Sequence, residues 1–281
     1  MPAALLGEPG PATGGAVEGE LAWRLATRYH DAKREIDAEE LRERVRRIAA
    51  RAILARAARV LGTSRRSARL RLEEYSLPGR GDLALEETWE RILGKEAPDL
   101  SDVMVKVREE KRVSCVLMLD TSLSMTGRNL ALAGVAAAVL AMRLHPEDYA
   151  VISFETAAHV VKRMGRSERP DGVVEQILDV PATGYTNIED ALKQGRAELD
   201  KGRHRERFGI LITDGVYTMG GDPRAQAAKF PRLYVLVTED YKMDRALCAE
   251  LATLGHGRSY PVEDYSVLPA VLNGLLREVM G

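Results

Sequence analysis

Three oxygen-bearing side chains follow the most apolar short segment of this 281-residue chain. Residues 113–119 are nearly all apolar, as in a parallel strand that is covered on both faces, and Asp120, Ser122 and Ser124 come directly after them. A carboxylate and two hydroxyls at alternating positions can all turn toward one point. Oxygen donors of this kind suit Mg²⁺ or Mn²⁺ rather than a soft transition metal. The expected chemistry is therefore the binding of a hard divalent cation.

The elements around this motif should place it at the carboxyl edge of an open α/β sheet, where ligands usually bind. Residues 128–144 form an Ala/Leu/Val-rich run that predicts a helix directly after the motif. Strand and helix patterns then alternate, which predicts a mostly parallel sheet with helices on both faces. The further predicted elements are strands at 103–107, 149–154, 208–213, 233–237 and 257–262, an antiparallel edge strand at 157–162, and helices at 173–178, 188–199, 245–254 and 268–279.

The pattern Asp-x-Ser-x-Ser after a hydrophobic strand resembles the metal-ion-dependent adhesion site of von Willebrand factor A domains. That site also needs a Thr on a second loop and an Asp at the end of a later strand, roles that the resemblance gives to Thr186 and Asp214. It implies that Ser122 and Ser124 ligate the ion directly, and that Asp120, Thr186 and Asp214 ligate it directly or through water. It also implies a doubly wound, mostly parallel six-stranded sheet flanked by helices.

Two observations qualify this resemblance. Leu123 stands where many family members have Gly, which alters the shape of the loop but removes no ligand. Asp and Ser before a helix are also common N-caps. Three such elements in the right order favour the metal site over capping alone.

A bound ion with an open coordination position can accept a carboxylate from a partner protein. Arg128, Tyr185 and Tyr217 flank the ligand loops, and Arg and Tyr are frequent anchors of protein interfaces. The alternative is that these three residues only line a solvated rim. The sequence has no phosphate-binding Gly-rich loop ending in Gly-Lys-Ser/Thr, no Gly-x-Ser-x-Gly and no His-Glu-x-x-His, so we expect no catalytic residues and no enzyme activity.

A helical N-terminal region before an A domain resembles bacterial proteins that work with MoxR-type AAA+ ATPases, and also magnesium-chelatase subunits. The resemblance implies an adaptor that couples the ATPase to a target protein during protein remodelling or the maturation of a metal centre. It is specific over about residues 100–281. The expected domains are a disordered tail at 1–20, a helical region at 21–100 and the A domain at 101–281.

Composition predicts a cytoplasmic protein without a membrane segment. The net charge is −1, Cys115 and Cys248 suit buried thiols, and residues 1–20 lack a secretory signal. The most apolar predicted helix, 130–142, is too short to span a bilayer.

A short helix after Asp82 should use Trp89 as a packing anchor.

The N-terminal region offers an alternative function, because residues 21–71 contain 15 Lys and Arg but 6 Asp and Glu. Residues 55–72 resemble a Fis-type helix-turn-helix, with Gly62 in the turn, Ser64 as the cap of a recognition helix, and Arg65, Arg66 and Arg69 on it. These arginines would contact phosphates and guanine edges of DNA. The competing interpretation is a basic helical pair that packs on the A domain or docks an acidic partner.

Overall fold

A computed structural model of the chain describes residues 11–62, 68–76, 81–110, 112–122, 127–180, 184–238, 243–264 and 266–280. The helices in these ranges are α1 (Pro11–Glu35), α2 (Glu39–Leu61), α3 (Leu85–Ile92), α4 (Arg128–Arg143), α5 (Pro170–Asp179), α6 (Ile188–Leu199), α7 (Arg224–Ala227), α8 (Arg245–Leu254) and α9 (Leu268–Met280). The strands are β1 (Ala68–Glu74), β2 (Asp82–Leu83), β3 (Met104–Glu110), β4 (Ser114–Asp120), β5 (Tyr149–Phe154), β6 (Ala158–Lys162), β7 (Arg207–Thr213), β8 (Leu233–Thr238) and β9 (Ser259–Val262). Two compact units result, one of residues 1–63 with 113–276 and one of residues 64–112 with 277–281.

The larger unit contains a six-stranded sheet, as far as the described residues show, in the order β6-β5-β4-β7-β8-β9. Its strands are parallel except for the edge strand β6, which runs antiparallel to β5. Every residue of β4 is buried, as its continuous apolar sequence predicts for a strand covered on both faces. The predicted α/β fold is confirmed, and the strands and helices predicted after residue 112 are found with small differences at their ends.

Helix α4 packs against the N-terminal helices α1 and α2 and against α5. Its residues are buried almost without exception, which is typical of a helix that is apolar on all sides and packed on more than one side. A Cβ added to Gly134 of α4 would lie 3.2 Å from Cδ1 of the fully buried Ile53 of α2. The absence of a side chain at Gly134 therefore lets the two helices approach closely.

Polar contacts hold the N-terminal helices on α5. The Tyr29 hydroxyl donates to Oδ1 of Asp179 at 3.0 Å, and Lys33 Nζ donates to the Leu178 carbonyl at 3.1 Å. Arg46 forms ion pairs with Asp179 and Glu175. Burial, together with the Asp179 charge, raises the pKa of Tyr29, so the phenol stays protonated and donates. These contacts agree with the interpretation in which the basic helices pack on the sheet domain.

The smaller unit is built on an antiparallel sheet of order β1-β3-β2. Strand β3 is the one predicted at 103–107, but it pairs with β1 and β2 rather than with the large sheet. Helix α3 attaches to β3 through Thr88, whose hydroxyl donates to the Met104 carbonyl and accepts from the Met104 N–H.

The predicted recognition helix of the helix-turn-helix is wrong. Helix α2 ends at Leu61, Gly62 has a φ of 57°, and residues 68–74 form strand β1 instead of a helix. The physical reason is the period-two pattern of Leu70 and Leu72, which suits a strand that pairs with β3 along its whole length. Ser64, Arg65 and Arg66 lie outside the described residues.

The expected packing role of Trp89 is also wrong, because this side chain is 67% exposed. Thr88 of α3 bonds to Met104 of β3, so Trp89, the next residue around the helix, points to a different side. Helix α1 begins at Pro11, inside the segment expected to be a disordered tail, because a proline is well tolerated in the first turn of a helix; residues 1–10 lie outside the described residues. Helices α1 and α2 belong to the larger unit, where they pack on α4 and α5.

Both cysteines, Cys115 and Cys248, are free and buried, as predicted. Across the described ranges, no helix combines the length and the apolar character that crossing a membrane requires.

Candidate metal centre

Asp120 ends the central strand β4, between the carboxyl ends of β5 and β7. Its side chain is only 3% exposed. Oδ1 accepts a hydrogen bond from the Ser122 N–H at 3.0 Å, and Oδ2 accepts one from the Thr213 hydroxyl at 2.9 Å. The adjacent Thr121 donates from its N–H and its hydroxyl to the Phe154 carbonyl, at 2.8 and 3.1 Å. These contacts fix the orientation of the Asp120 carboxylate at the edge of the sheet.

The electrostatic environment of Asp120 opposes its negative charge. Burial raises the pKa of this carboxyl to about 6, and the nearby charge of Asp214 adds to the rise, while hydrogen bonds from Ser122 and Thr213 oppose it. Burial and the charges of Asp214, Asp244 and Asp120 also raise the pKa of the Cys248 thiol to about 12. Negative charge is thus concentrated at this edge.

Asp214 follows β7 in a turn whose shape depends on Gly215. Gly215 has a φ of 83°, and a Cβ on it would lie 2.6 Å from both the Asp244 carbonyl oxygen and Cys248 Sγ. Oδ1 of Asp214 accepts from the Val216 N–H at 2.8 Å, and the Asp214 carbonyl accepts from the Asp244 N–H at 2.9 Å. Only glycine suits this turn, because it needs both a left-handed backbone and a close approach.

Thr186 is held by its backbone between two neighbouring loops. Its N–H donates to the Thr218 hydroxyl at 2.9 Å, and its carbonyl accepts from the Thr218 N–H at 2.9 Å. On the other side, the Asn187 N–H donates to the Glu155 carbonyl at 2.8 Å, and the Asn187 side chain caps α6 at the Asp190 N–H. Among the described residues, none hydrogen-bonds the hydroxyl of Thr186, which is therefore available as an oxygen donor.

The structure thus brings most of the predicted ligands to one edge of the sheet. Asp120 and Ser122 follow β4, Asp214 follows the adjacent β7, and Thr186 lies on a loop bonded to the residues that follow β5 and β7. Ser124 lies outside the described residues. The three predicted partner-binding residues are all exposed: Arg128, Tyr185 and Tyr217.

The oxygen donors at this edge can bind a hard divalent cation only if carboxylates and hydroxyls act together. In the described part of the chain, no three His, Cys, Asp or Glu side chains converge to form a metal site by themselves. Two carboxylates, Asp120 and Asp214, interact electrostatically and need the hydroxyls of Ser122 and Thr186 to complete an oxygen set. Such a set matches Mg²⁺ or Mn²⁺, and its negative charge favours a cation.

Sequence reasoning missed two residues that support this arrangement. Thr213 connects β7 to Asp120 and also accepts the Gly215 N–H at 3.1 Å, while Thr218 orients Thr186. Thr213 adjoins the predicted ligand Asp214, but its bond to Asp120 depends on β4 and β7 being neighbours. Thr218 carries no sequence signal of its own, because its role depends on two loops meeting.

Comparisons with known proteins identify the fold. Residues 115–216 match the sequence model of the von Willebrand factor type A domain. An uncharacterized protein of Synechocystis sp. is 30% identical over 162 residues, which cover 57% of this chain and 36% of that protein, so the match spans about a third of its length.

Two solved structures share the fold at low sequence identity. A von Willebrand factor type A protein from Catenulispora acidiphila superimposes with a TM-score of 0.53 at 18% identity, over 63% of this chain and 44% of that one. Proximal thread matrix protein 1 from the mussel byssus was solved with zinc in its metal-ion-dependent adhesion site (MIDAS) motif. It gives a TM-score of 0.52 at 16% identity, over 60% of this chain and 48% of that one. The six-stranded sheet and its helices therefore have the fold of von Willebrand factor A domains.

Proposed function

We propose that this chain is a divalent-metal-dependent protein-interaction module. Asp120, Ser122, Ser124, Thr186 and Asp214 would hold Mg²⁺ or Mn²⁺ in this proposal. The ion, when bound, supplies a coordination position for a carboxylate of the partner protein. No catalytic step is assigned to the chain, because its sequence has no Gly-rich loop ending in Gly-Lys-Ser/Thr, no Gly-x-Ser-x-Gly and no His-Glu-x-x-His.

The observation that carries the proposal is the fixed, buried carboxylate of Asp120 beside the charge of Asp214. Keeping a carboxylate buried near a like charge is unfavourable without a cation, as the raised pKa of Asp120 indicates. The hydroxyl of Thr186 adds a neutral oxygen from a loop whose backbone is already ordered by Thr218. The zinc of the mussel protein is a divalent ion in the same type of motif, while the preference for Mg²⁺ or Mn²⁺ rests on the oxygen donors of this chain.

The exposed rim supports binding of a protein rather than of a small molecule. Tyr185 is 63% exposed and directly precedes Thr186, and Tyr217 lies on the loop that follows Asp214. Aromatic side chains next to a charged centre can exclude water from a carboxylate contact. By the family resemblance, we propose an AAA+ ATPase of the MoxR type, or its target protein, as the partner, with the chain acting as an adaptor in remodelling or metal-centre maturation.

Metal binding is tested by calorimetric titration of the full chain with Mn²⁺. We expect one site in the natural protein and none in Asp120→Ala. Asp222→Ala is the matched control. Asp222 is an exposed acid in the segment that follows Asp214, but it pairs with Arg224 and is not a proposed ligand. Equal Mn²⁺ binding by the natural protein and by Asp120→Ala would refute the site.

The interaction is tested by affinity capture from native lysate with Mg²⁺ or with excess chelator, followed by mass spectrometry. We expect chelation to release the partner and Thr186→Ala to weaken capture while the thermal unfolding midpoint stays unchanged. Thr253→Ala, at an exposed threonine of α8, should capture the partner normally. A partner that stays bound in chelator and to Asp120→Ala would place the interface away from the metal site.

A further inference from the structure

Strand β1 is an edge of the small sheet, because it pairs with β3 on one side and, among the described residues, no strand pairs with its other side. The strand spans seven residues and carries two exposed leucines, Leu70 at 61% and Leu72 at 44%. A long edge with exposed apolar side chains is a surface that soluble proteins normally cover or interrupt with charge. The backbone groups of this edge can accept a further strand, but Arg71 and Glu73, which alternate with the leucines, limit which strands fit.

The backbone groups on this open edge can be identified from the pairing with β3. The Tyr75 N–H donates to the Val103 carbonyl at 2.8 Å, so Tyr75 directs its backbone groups toward β3. In an antiparallel ladder, every second residue directs its N–H and its C=O group toward the same neighbouring strand, and the residues between them direct theirs the opposite way. Residues 71 and 73 thus bond to β3, while residues 70, 72 and 74 direct their N–H and C=O groups to the open edge.

Charge selects one way in which this edge can pair with a second copy of itself. The two-fold symmetry of a dimer makes the two β1 strands antiparallel. Residues whose backbone N–H and C=O groups are directed to the open edge must then lie opposite each other. Placing residue 70 opposite 72 would put Arg71 opposite Arg71, and placing 72 opposite 74 would put Glu73 opposite Glu73. Placing Leu72 opposite Leu72 instead puts Arg71 opposite Glu73 twice. Registers centred on residues 70 or 74 overlap less of this segment.

We propose that β1 is a homodimerisation edge, at which two copies of the chain pair antiparallel with Leu72 opposite Leu72 on the two-fold axis. Arg71 and Glu73 already share one face of β1, where Arg71 Nε lies 3.8 Å from Glu73 Oε1, and both side chains are exposed. In the dimer each would face its opposite charge in the close, non-hydrogen-bonded pairs of the ladder. The two Leu72 side chains would shield each other from water.

Cysteine cross-linking of the full chain tests the register. Leu72→Cys should form a disulfide between two copies under mild oxidation, because residues on the two-fold axis have Cα atoms about 5.5 Å apart, within the range of a disulfide. Leu70→Cys is the matched control, since residue 70 faces residue 74 and lies about 14 Å along the strand from its own copy. The natural Cys115 and Cys248 are buried and should not compete. Cross-linking of both variants to the same extent, or of neither, would overturn the proposal.

Charge reversal tests the same register without cysteines. Arg71→Glu should weaken the dimer about tenfold or more, because two attractive pairs become repulsive. The double variant Arg71→Glu, Glu73→Arg restores opposite charges in the same register and should dimerise like the natural protein. Sedimentation of the natural chain as a monomer at about 100 µM, or an unchanged dimer in Arg71→Glu, would overturn the proposal.

Discussion

At the scale of single residues, the site depends on side chains that fix the ligands as much as on the ligands. The Asp120 carboxylate is oriented from one side by the Ser122 backbone and from the other by the Thr213 hydroxyl. Groups that orient a metal ligand often affect affinity nearly as strongly as the ligand itself. Thr213 should therefore matter for the ion although it is not a proposed ligand.

Thr213→Val should weaken Mn²⁺ binding about 10- to 100-fold, because valine keeps the branched shape but leaves Asp120 without its hydroxyl donor. Calorimetric titration measures the change. Thr238→Val is the control, since Thr238 is a buried threonine at the end of the neighbouring strand β8. A loss of affinity in the Thr238 variant equal to that of the Thr213 variant would contradict a specific role for Thr213.

A second residue-scale prediction concerns Lys162, which is buried in the edge strand β6. Its Nζ donates to the Tyr149 carbonyl at 2.6 Å and lies 4.1 Å from the centre of the Tyr149 ring. Burial lowers the pKa of this ammonium from 10.5 to about 8, although nearby acids such as Glu168 and Asp148 oppose the change.

The unfolded chain therefore binds a proton at Lys162 between pH 8 and 10.5 that the folded chain does not hold. Stability should rise with pH across this window relative to Lys162→Met, which has no titrating group there. Unfolding midpoints of both proteins at about pH 7 and about pH 10 give the comparison. Parallel pH profiles for the two proteins would show that the pKa of Lys162 is not lowered.

At the scale of elements, the stability of α4 depends on helices that lie far earlier in the chain. Helix α2 covers one side of α4 through Ile53 against Gly134, and α5 packs against α4 as well. A helix that is buried on all sides gains its stability from this packing rather than from intrinsic propensity. The N-terminal helices are thus part of the fold of the larger unit.

Ile53→Ala should lower the free energy of unfolding by about 2–5 kcal/mol, because it removes a fully buried side chain from the contact between α2 and α4. Ile48→Ala is the matched control on the same helix, since Ile48 is 44% exposed. It should change stability by less than about 0.5 kcal/mol. Urea denaturation measures both, and similar losses in the two variants would contradict the packing of α2 on α4.

At the scale of the whole molecule, ion pairs engage some arginines of the N-terminal region, and acids elsewhere in the chain offset its excess positive charge. Arg46 pairs with Asp179 and Glu175 of α5, while Arg42 and Arg47 pair with Glu39 and Glu43 of their own helix. The net charge of the chain is −1. An arginine count in one segment therefore overstates the charge that the molecule presents to nucleic acid.

We expect no saturable binding to duplex DNA at about 50 mM salt, where basic DNA-binding surfaces bind measurably. The reasons are the strand at residues 68–74 in place of a recognition helix and the ion pairs of α2. Fluorescence anisotropy measures the binding. Binding that weakens steeply with salt and disappears when the exposed Arg44, Arg47 and Arg51 are replaced would contradict this expectation.

Sequence by itself predicted the sheet and much of the site, because both depend on local patterns. The apolar run before Asp120 identifies a strand covered on both faces, and the order of oxygen-bearing residues identifies the carboxyl edge at which they meet. The choice of Thr186 and Asp214 as further members of the site rests on the resemblance to von Willebrand factor A domains, not on a local pattern. The roles of these residues as ligands remain predictions.

Only the tertiary structure decided which long-range contacts complete these elements. Leu70 and Leu72 alternate as in a strand, but residues 55–72 also fit the pattern of a helix-turn-helix, because local pattern cannot show the partner strand β3. The exposure of Trp89 depends on which side of α3 faces β3, and the bond from Thr213 to Asp120 depends on the adjacency of β7 and β4. A sequence encodes these contacts through atoms that are distant along the chain, so they are determined only when the whole chain packs.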